Sequence, residues 1–331
     1  MGKQQLNALV RMLTICCAVL FLHNVALNET WGAEKKFPVR TINVVVPYNP
    51  GSTDVYSRPH IEKMSDQLGQ PMTFLYKPGA AGTIGASFAA KSNPDGYTLL
   101  ASSPGPTVLG PATKEDLDYT YDSFAPLFRL IVAPVFLAVK AESPLKTLDD
   151  VIAAAKASPG KLTYSHSGVL GHTHFSMEIF AKSAGIKLSH VPCVGSGPAV
   201  TALLGGHVML SCSDFGPLKP QVDSGALRLI ALMDEKRIKS YPDIPTFLEL
   251  GHRVIMPAWY GLFAPKGTPK EVINTIYDAA KKAYDQNRDS LVKQYKQLGI
   301  EESFLNADEF DKANREQLKT IKEIFKDIQG K

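Results

Sequence analysis

Asn43–Arg58 reads NVVVPYNPGSTDVYSR, and the fold follows from the change of character partway along it. Val44, Val45 and Val46 are consecutive β-branched residues, the mark of a buried strand. Pro47, Asn49, Pro50 and Gly51 stop that strand, and Ser52-Thr53-Asp54 opens a helix. A strand that turns through glycine into a helix leaves several backbone N–H groups unpaired at the carboxyl edge of its sheet. They lie in line with the positive end of the helix dipole. Such a corner holds a small anion without an arginine.

Working outward, the same alternation continues. Val55–Leu68 carries Val55, Ile61, Met64 and Leu68 on a mostly polar helix that Gly69-Gln70-Pro71 ends. Met72–Tyr76 is a second strand, Lys77–Gly82 a turn, Thr83–Lys91 a helix of small residues, and Tyr97–Ala101 a third strand. Ser102-Ser103-Pro104-Gly105 follows it as a polar loop. Strand and helix alternating in this way predict an α/β protein with largely parallel sheets. Two later corners repeat the opening motif. The strand Leu162–Ser165 runs into HSGVLGHTH and a helix His174–Ser183; the strand Leu188–Val191 runs into CVGSGPA and a helix Pro198–Leu204.

Apolar, extended segments at Phe128–Val139 and Val254–Phe263 read as two crossings between lobes, with the closing helices Glu271–Tyr284, Ser290–Leu298 and Ala307–Ile328 returning to the first lobe. The expected organisation is a leader over residues 1–32, lobe 1 over 33–132 and 258–331, and lobe 2 over 133–257. A cleft between two hinged lobes is a favoured place for a small molecule.

The chain of 331 residues suits two domains, and its composition (44% hydrophobic, 21% charged) is that of a globular protein. A formal charge of +4 without a dense basic patch argues against a nucleic-acid partner. Lys3 and Arg11 precede the apolar run Met12–Leu22, which has the length of a signal-peptide core and is too short to span a bilayer. Cleavage is expected beside Gly32 or Ala33, giving an exported protein, expected as a monomer. Removal of the leader leaves Cys193 and Cys212, which either pair or stand as isolated thiols.

Beyond these local readings, the ordered blocks VVVPYNPGSTDVYSR, LYKPGAAGTIGASFAA, NPDGYTLL, YDSFAPLFRL, SGVLGHTHFSMEIF, SHVPCVGSGPAVTALLGGHV, YPDIPTFLELG and WYGLFAPKGTP resemble the substrate-binding proteins of tripartite tricarboxylate transporters, the TctC or Bug family. The resemblance runs from about Phe37 to the C-terminus. It implies a two-lobed type II periplasmic-binding-protein fold and delivery of a small mono- or dicarboxylate to integral-membrane transporter subunits. Two departures bear on the ligand. Gly51-Ser52 stands where the family has two glycines, and Cys193-Val194-Gly195 replaces a tyrosine-lysine-glycine, removing an aromatic ring and a cation.

The ligand-binding residues expected are Tyr48, Ser52, Thr53, Asp54, Ser102 and Ser103 on the first lobe, and Ser167, Gly168, Gly171, His172, Ser196, Gly197 and Asp214 on the second. Tyr48 matches a family aromatic that lies against the ligand. Asp54 would repel a bound anion, so its natural task is to cap the helix from behind. His172 is not the family's usual residue, which makes it a candidate for specificity. Asp214 either accepts from a ligand hydroxyl or amino group or holds its neighbours. His166, His172 and His174 raise the question of a metal, but residues two apart do not share a helix face, and no metal or cofactor is expected. Gly-x-Ser-x-Gly, His-Glu-x-x-His and phosphate-loop signatures are missing from the sequence, and the reading is of a binding protein rather than an enzyme. The competing class is an exported enzyme, or a partner of a receptor, on the same scaffold.

Overall fold

The structure, a computed structural model, describes residues 36–329 and, before them, Gly2 alone; the leader and its cleavage point fall outside the described residues. From Arg40 onward the chain forms one compact unit. Its elements, in order, are β1 (Ile42–Val46), α1 (Ser52–Leu68), β2 (Met72–Tyr76), α2 (Thr83–Ala90), β3 (Thr98–Ser102), α3 (Gly110–Thr113), β4 (Phe124–Ala133) and β5 (Val135–Lys140). Then come α4 (Leu148–Ala157), β6 (Thr163–His166), α5 (His172–Ala184), β7 (Ser189–Pro192), α6 (Ser196–Leu204), β8 (Leu210–Asp214), α7 (Phe215–Asp223) and β9 (Leu227–Leu232). The chain closes with β10 (Ala258–Pro265), α8 (Lys270–Gln297), β11 (Glu301–Leu305) and α9 (Ala307–Gln329).

Two mixed sheets result, one per lobe: a six-stranded sheet ordered β11-β4-β10-β3-β1-β2 and a five-stranded sheet ordered β7-β6-β8-β5-β9. Each has a parallel core. β1 lies between β2 and β3, and β6 between β7 and β8, all parallel. The strands that carry the chain across run antiparallel to these cores: β10 along β3 and β4, and β5 along β8 and β9. Parallel neighbours need helical crossovers, so every corner after β1, β6 and β7 ends at a helix N-terminus on one edge of its sheet.

The chain passes between the sheets at Pro134 and again between Met233 and Ala258. These connections lie side by side: Met233 donates its N–H to the Val135 carbonyl at 2.9 Å, and Met256 donates to the Met233 carbonyl at 3.0 Å. Each lobe has its own apolar core. Val45, Leu100, Trp259, Phe263 and Phe310 pack in the first, and Phe136, Leu203, Phe215, Leu218 and Leu232 in the second. Burying each such side chain contributes about 1.5–3 kcal/mol.

Three elements escape the sequence reading: the one-turn helix α3, helix α7 and strand β11. Helix α7 forms despite Gly216, Pro217 and Pro220: Pro217 sits in the first turn, where N–H groups have no helical partner, and the burial of Phe215 and Leu218 offsets the interior Pro220. Strand β11 is a short edge strand fixed on β4 by Arg129, whose guanidinium donates to the Ser303 carbonyl and hydroxyl. The two helices expected over Glu271–Tyr284 and Ser290–Leu298 are continuous as α8, with non-helical backbone at Asn287.

Candidate ligand-binding site

The three corners singled out by sequence face one another. Helix α1 begins at Ser52 after Gly51, α5 at His172 after Gly171, and α6 at Ser196 after Gly195. Asp214, the last residue of β8, precedes α7. Between the lobes they enclose a cavity lined by Tyr48, Asn49, Ser52, Thr53, Ser103 and Tyr260 from one side, and by Ser167, His172, Gly195, Ser196 and Asp214 from the other. Its volume is about 10 Å³, room for roughly one water molecule. An organic acid enters only if the lobes part.

Asp214 is the electrostatic centre. It is 2% exposed, and its Oδ1 stands 2.7 Å from His172 Nε2 while its Oδ2 accepts a 2.7 Å hydrogen bond from the Ser196 hydroxyl. The Tyr260 hydroxyl bonds to it as well. Burial alone would raise the Asp214 carboxyl, but the attraction of the His172 ring and these hydrogen-bond donors outweigh it and hold the group below the usual carboxylate range. Tyr260 and Tyr56 are pushed the other way, first by burial and then by the Asp214 charge, so both phenols stay protonated. Their rings meet edge to face at 4.8 Å, and the Tyr56 hydroxyl accepts from the Gly216 N–H on the opposite lobe.

Two polar atoms of the lining have no hydrogen-bond partner within strict geometry: His172 Nδ1 and Ser52 Oγ, the latter beside the Tyr260 hydroxyl. A buried polar atom left unpaired costs about 1–3 kcal/mol. Both atoms belong to residues that line the cavity. Tyr48 is already engaged, its hydroxyl donating to the Ala81 carbonyl at 3.1 Å and lying 3.4 Å from Ser103 Oγ. Burial raises its phenol far above neutral pH.

Of the residues expected from sequence, Tyr48, Ser52, Thr53, Ser103, Ser167, His172, Ser196 and Asp214 line the cavity. The other five stand behind or beside it. Asp54 turns back to accept from the Gly51 N–H at 2.7 Å and from the Tyr76 hydroxyl at 3.0 Å, which is the capping geometry its charge favours. Ser102 Oγ donates to the Ser103 carbonyl beneath the floor. Gly168 and Gly171 share a tight turn, Gly171 N–H donating to the Gly168 carbonyl, and Gly197 packs against Pro50 and Gly51. Asn49, Gly195 and Tyr260 line the cavity without having been singled out. Asn49 and Gly195 adjoin residues that were, so their neighbours were the signal. Tyr260 comes from the return strand β10, and nothing local to WYGLF says which ring reaches Asp214.

Behind the second-lobe loop, His166, His174 and His190 place one nitrogen each within 4.8 Å of one another. The trio is a different set from the one weighed in the sequence, because β6 and β7 are neighbours and bring His190 in. The remaining bonds decide its character. His166 Nδ1 accepts from the Gly168 N–H at 3.1 Å and His174 Nδ1 from the Leu170 N–H at 3.2 Å. An imidazole nitrogen that accepts is unprotonated, so in each neutral ring the proton sits on Nε2, the nitrogen a cation would need. A metal-bound histidine instead donates its second N–H outward. The trio thus holds the loop Ser167–Leu170 by two backbone N–H groups. Burial lowers the His166 ring to about 3 and the His174 ring to about 4, keeping both neutral. Cys193 and Cys212 are unpaired, and burial pushes both thiols up.

The family model described as tripartite tricarboxylate transporter family receptor matches residues 57–329. The chain belongs to this family. Its members are periplasmic solute-binding proteins rather than enzymes. A relative from Cupriavidus necator, the UPF0065 protein in gbd 5'region, is 37% identical over 302 residues, 88% of this chain and 89% of that protein. Among solved structures, Rpa4515 of R. palustris with adipate is 26% identical with a TM-score of 0.83, covering 89% of this chain and 99% of that one. MatC of Rhodopseudomonas palustris with bound malate is 28% identical with a TM-score of 0.81, covering 87% and 100%. The two-lobed periplasmic-binding-protein fold is thus common to them and to this member. No helix among the described residues is long and apolar enough to cross a membrane.

Proposed function

We propose that this receptor captures a small mono- or dicarboxylate between its lobes and delivers it to the membrane subunits of a tripartite tricarboxylate-type transporter. The observation that carries the reading is the convergence of the α1, α5 and α6 N-termini on one buried, hydroxyl-rich cavity. Helix N-termini favour negative charge, and none of the lining residues is a lysine or arginine. The malate and adipate held by the two relatives belong to the same chemical class. Charge-assisted hydrogen bonds contribute about 1.5–3 kcal/mol each, and a micromolar constant corresponds to about 8 kcal/mol. Three or four such bonds, less the entropy lost on closure, are compatible with that affinity.

Within residues 40–329, residues 40–132 and 258–329 would move as one lobe and 133–257 as the other, turning about Pro134 and the Met233–Ala258 connection. Docking on membrane subunits that prefer the parted arrangement would release the acid. The leader over residues 1–32 would direct export and be removed in the process, with the receptor acting as a monomer. Thermal denaturation against a panel of mono- and dicarboxylates, each paired with its neutral amide, tests the reading. At least one acid should raise the midpoint, by about 2.7 kcal/mol of stabilisation at a hundredfold excess over its dissociation constant. Amides that stabilise as well as their acids, or a panel with no effect, would refute it.

A further inference from the structure

We infer that His172 is the residue that reads the guest's carboxylate, donating from Nδ1 as an imidazolium whose charge Asp214 balances, so that acid binding is coupled to a proton on this ring. The inference rests on the carboxylate reading above and names how that charge is recognised. Its starting point is the division of labour within one side chain. Nε2 is committed to Asp214 at 2.7 Å, while Nδ1 is buried, unpartnered and part of a residue that lines the cavity. With Nε2–H pointing at a carboxylate, the protonation state is decided at Nδ1 alone. A carboxylate guest demands Nδ1–H and therefore the imidazolium; a hydroxyl or amide N–H guest would be met by the lone pair of the neutral ring.

The surroundings make His172 the group to watch. Facing it are Asp214 from β8, Ser196 from α6, Tyr260 from β10 and Tyr48 beyond β1. Tyr56 from α1 and Cys212 from β8 stand within the field of Asp214. Burial keeps these three phenols and the thiol protonated, and Asp214 stays ionised. On its own helix, His174 has Nδ1 turned to Leu170 and Nε2 towards Glu178 at 3.6 Å. His172 is the imidazole of the lining, and Asp214 with His172 takes the place of the lysine or arginine the cavity lacks. One balanced pair and three helix ends suit a compact, oxygen-rich acid. Hydroxyls from Ser52, Thr53, Ser103 and Ser167 offer further donors to such an acid.

The sign follows from linkage. A bound carboxylate favours the ring that carries both N–H groups, so binding is accompanied by proton uptake and affinity falls as pH rises. The experiment is calorimetric titration of the mature receptor with malate and with adipate from about pH 6 to above pH 8, where the guests' carboxyl groups are largely ionised and an imidazole changes charge. Each titration is run in two amine buffers of different ionisation enthalpy to count protons taken up. Wild type should bind an acid more weakly as pH rises, with proton uptake on the rising side. His172→Gln retains a donor towards Asp214 but has nothing at Nδ1; it should bind about 10- to 100-fold more weakly and lose the pH dependence. His172→Asn places an amide near the Nδ1 position and should recover part of the affinity without the pH dependence. Binding that is independent of pH and equal in His172→Gln overturns this inference while leaving the carboxylate reading intact, and affinity that rises with pH overturns it too. Absence of binding by either acid at every pH counts against both.

Discussion

Replacing Gly168 by alanine tests whether the lobes keep their contact at this loop while a guest larger than one water molecule widens the cavity. Gly168 lies on the second-lobe loop and adopts φ +142°, and a Cβ there would stand 2.8 Å from Ala81 Cα and 2.9 Å from Ala81 Cβ. Ala81 belongs to the first lobe and itself sits at φ +57°, in a turn fixed by the Tyr48 hydroxyl on its carbonyl. Neither contact atom is the end of a flexible side chain, so the lobes would have to separate by about 0.7 Å to reach the 3.5 Å of ordinary carbon contact. Two costs follow, and they differ in kind. Backbone strain of about 1–3 kcal/mol is present whether the lobes are together or apart. Overpacking, again about 1–3 kcal/mol, is present only when they are together, and weakens acid binding by about 5- to 150-fold. Gly160→Ala separates the two: its φ is +74°, and nothing stands within 4 Å of the added carbon. Calorimetry with malate and thermal denaturation should show both variants with lowered melting points but only Gly168→Ala with lowered affinity. Equal affinity in Gly168→Ala and wild type would refute the claim that the lobes still meet at this loop when the guest is held.

Asp214→Asn removes the charge that His172, Ser196 and Tyr260 share. Breaking a buried pair in this way costs about 3–5 kcal/mol, and a denaturant titration showing less than about 1 kcal/mol would contradict the role given to that carboxylate. Because the folded-state pKa of Asp214 lies below its unfolded value, its contribution is full above the unfolded value, near pH 4, and is lost as pH falls through the folded one. Acid also acts earlier, through His60, His166 and His174. Burial lowers them to about 4, 3 and 4, so the unfolded chain takes up protons the folded one refuses and stability declines from about pH 6.5 downward. Melting points recorded from pH 8 to pH 5 check this, and a flat profile would count against it. Tyr56→Phe deprives the Gly216 N–H of its acceptor and should weaken malate binding several-fold by favouring parted lobes, an effect of about 1–2 kcal/mol. Thr147→Ala removes a helix cap far from the cleft. It should cost about 1 kcal/mol of stability and leave affinity unchanged.

Much of this molecule is written locally. Val44–Val46 followed by proline, glycine and hydroxyl residues places β1, its turn and the start of α1 within a residue or two, and the corners at Gly171 and Gly195 repeat the signal. Thr147 and Asp150 announce their helix because each caps the other across three residues. Such features depend on neighbours within one or two turns of chain, so sequence alone fixes the strand–turn–helix units, the parallel cores and the presence of anion-suited helix ends. It also supplies most of the cavity's hydroxyls.

What tertiary structure decided is which groups meet. Asp54 and Ser52 are neighbours in the chain, yet one turns back to the Gly51 N–H and the other faces the cleft. Tyr260 joins Asp214 only because the return strand β10 is laid antiparallel to β3. His190 joins His166 through the pairing of β6 with β7, which turned a question about metal into a brace for the loop. The pairing of His172 with Asp214 spans forty-two residues of chain. Helix ends are short-range objects and leave a short-range record; the charge balance of a cleft is set by side chains from distant segments, which only the packing of two lobes brings within hydrogen-bond reach.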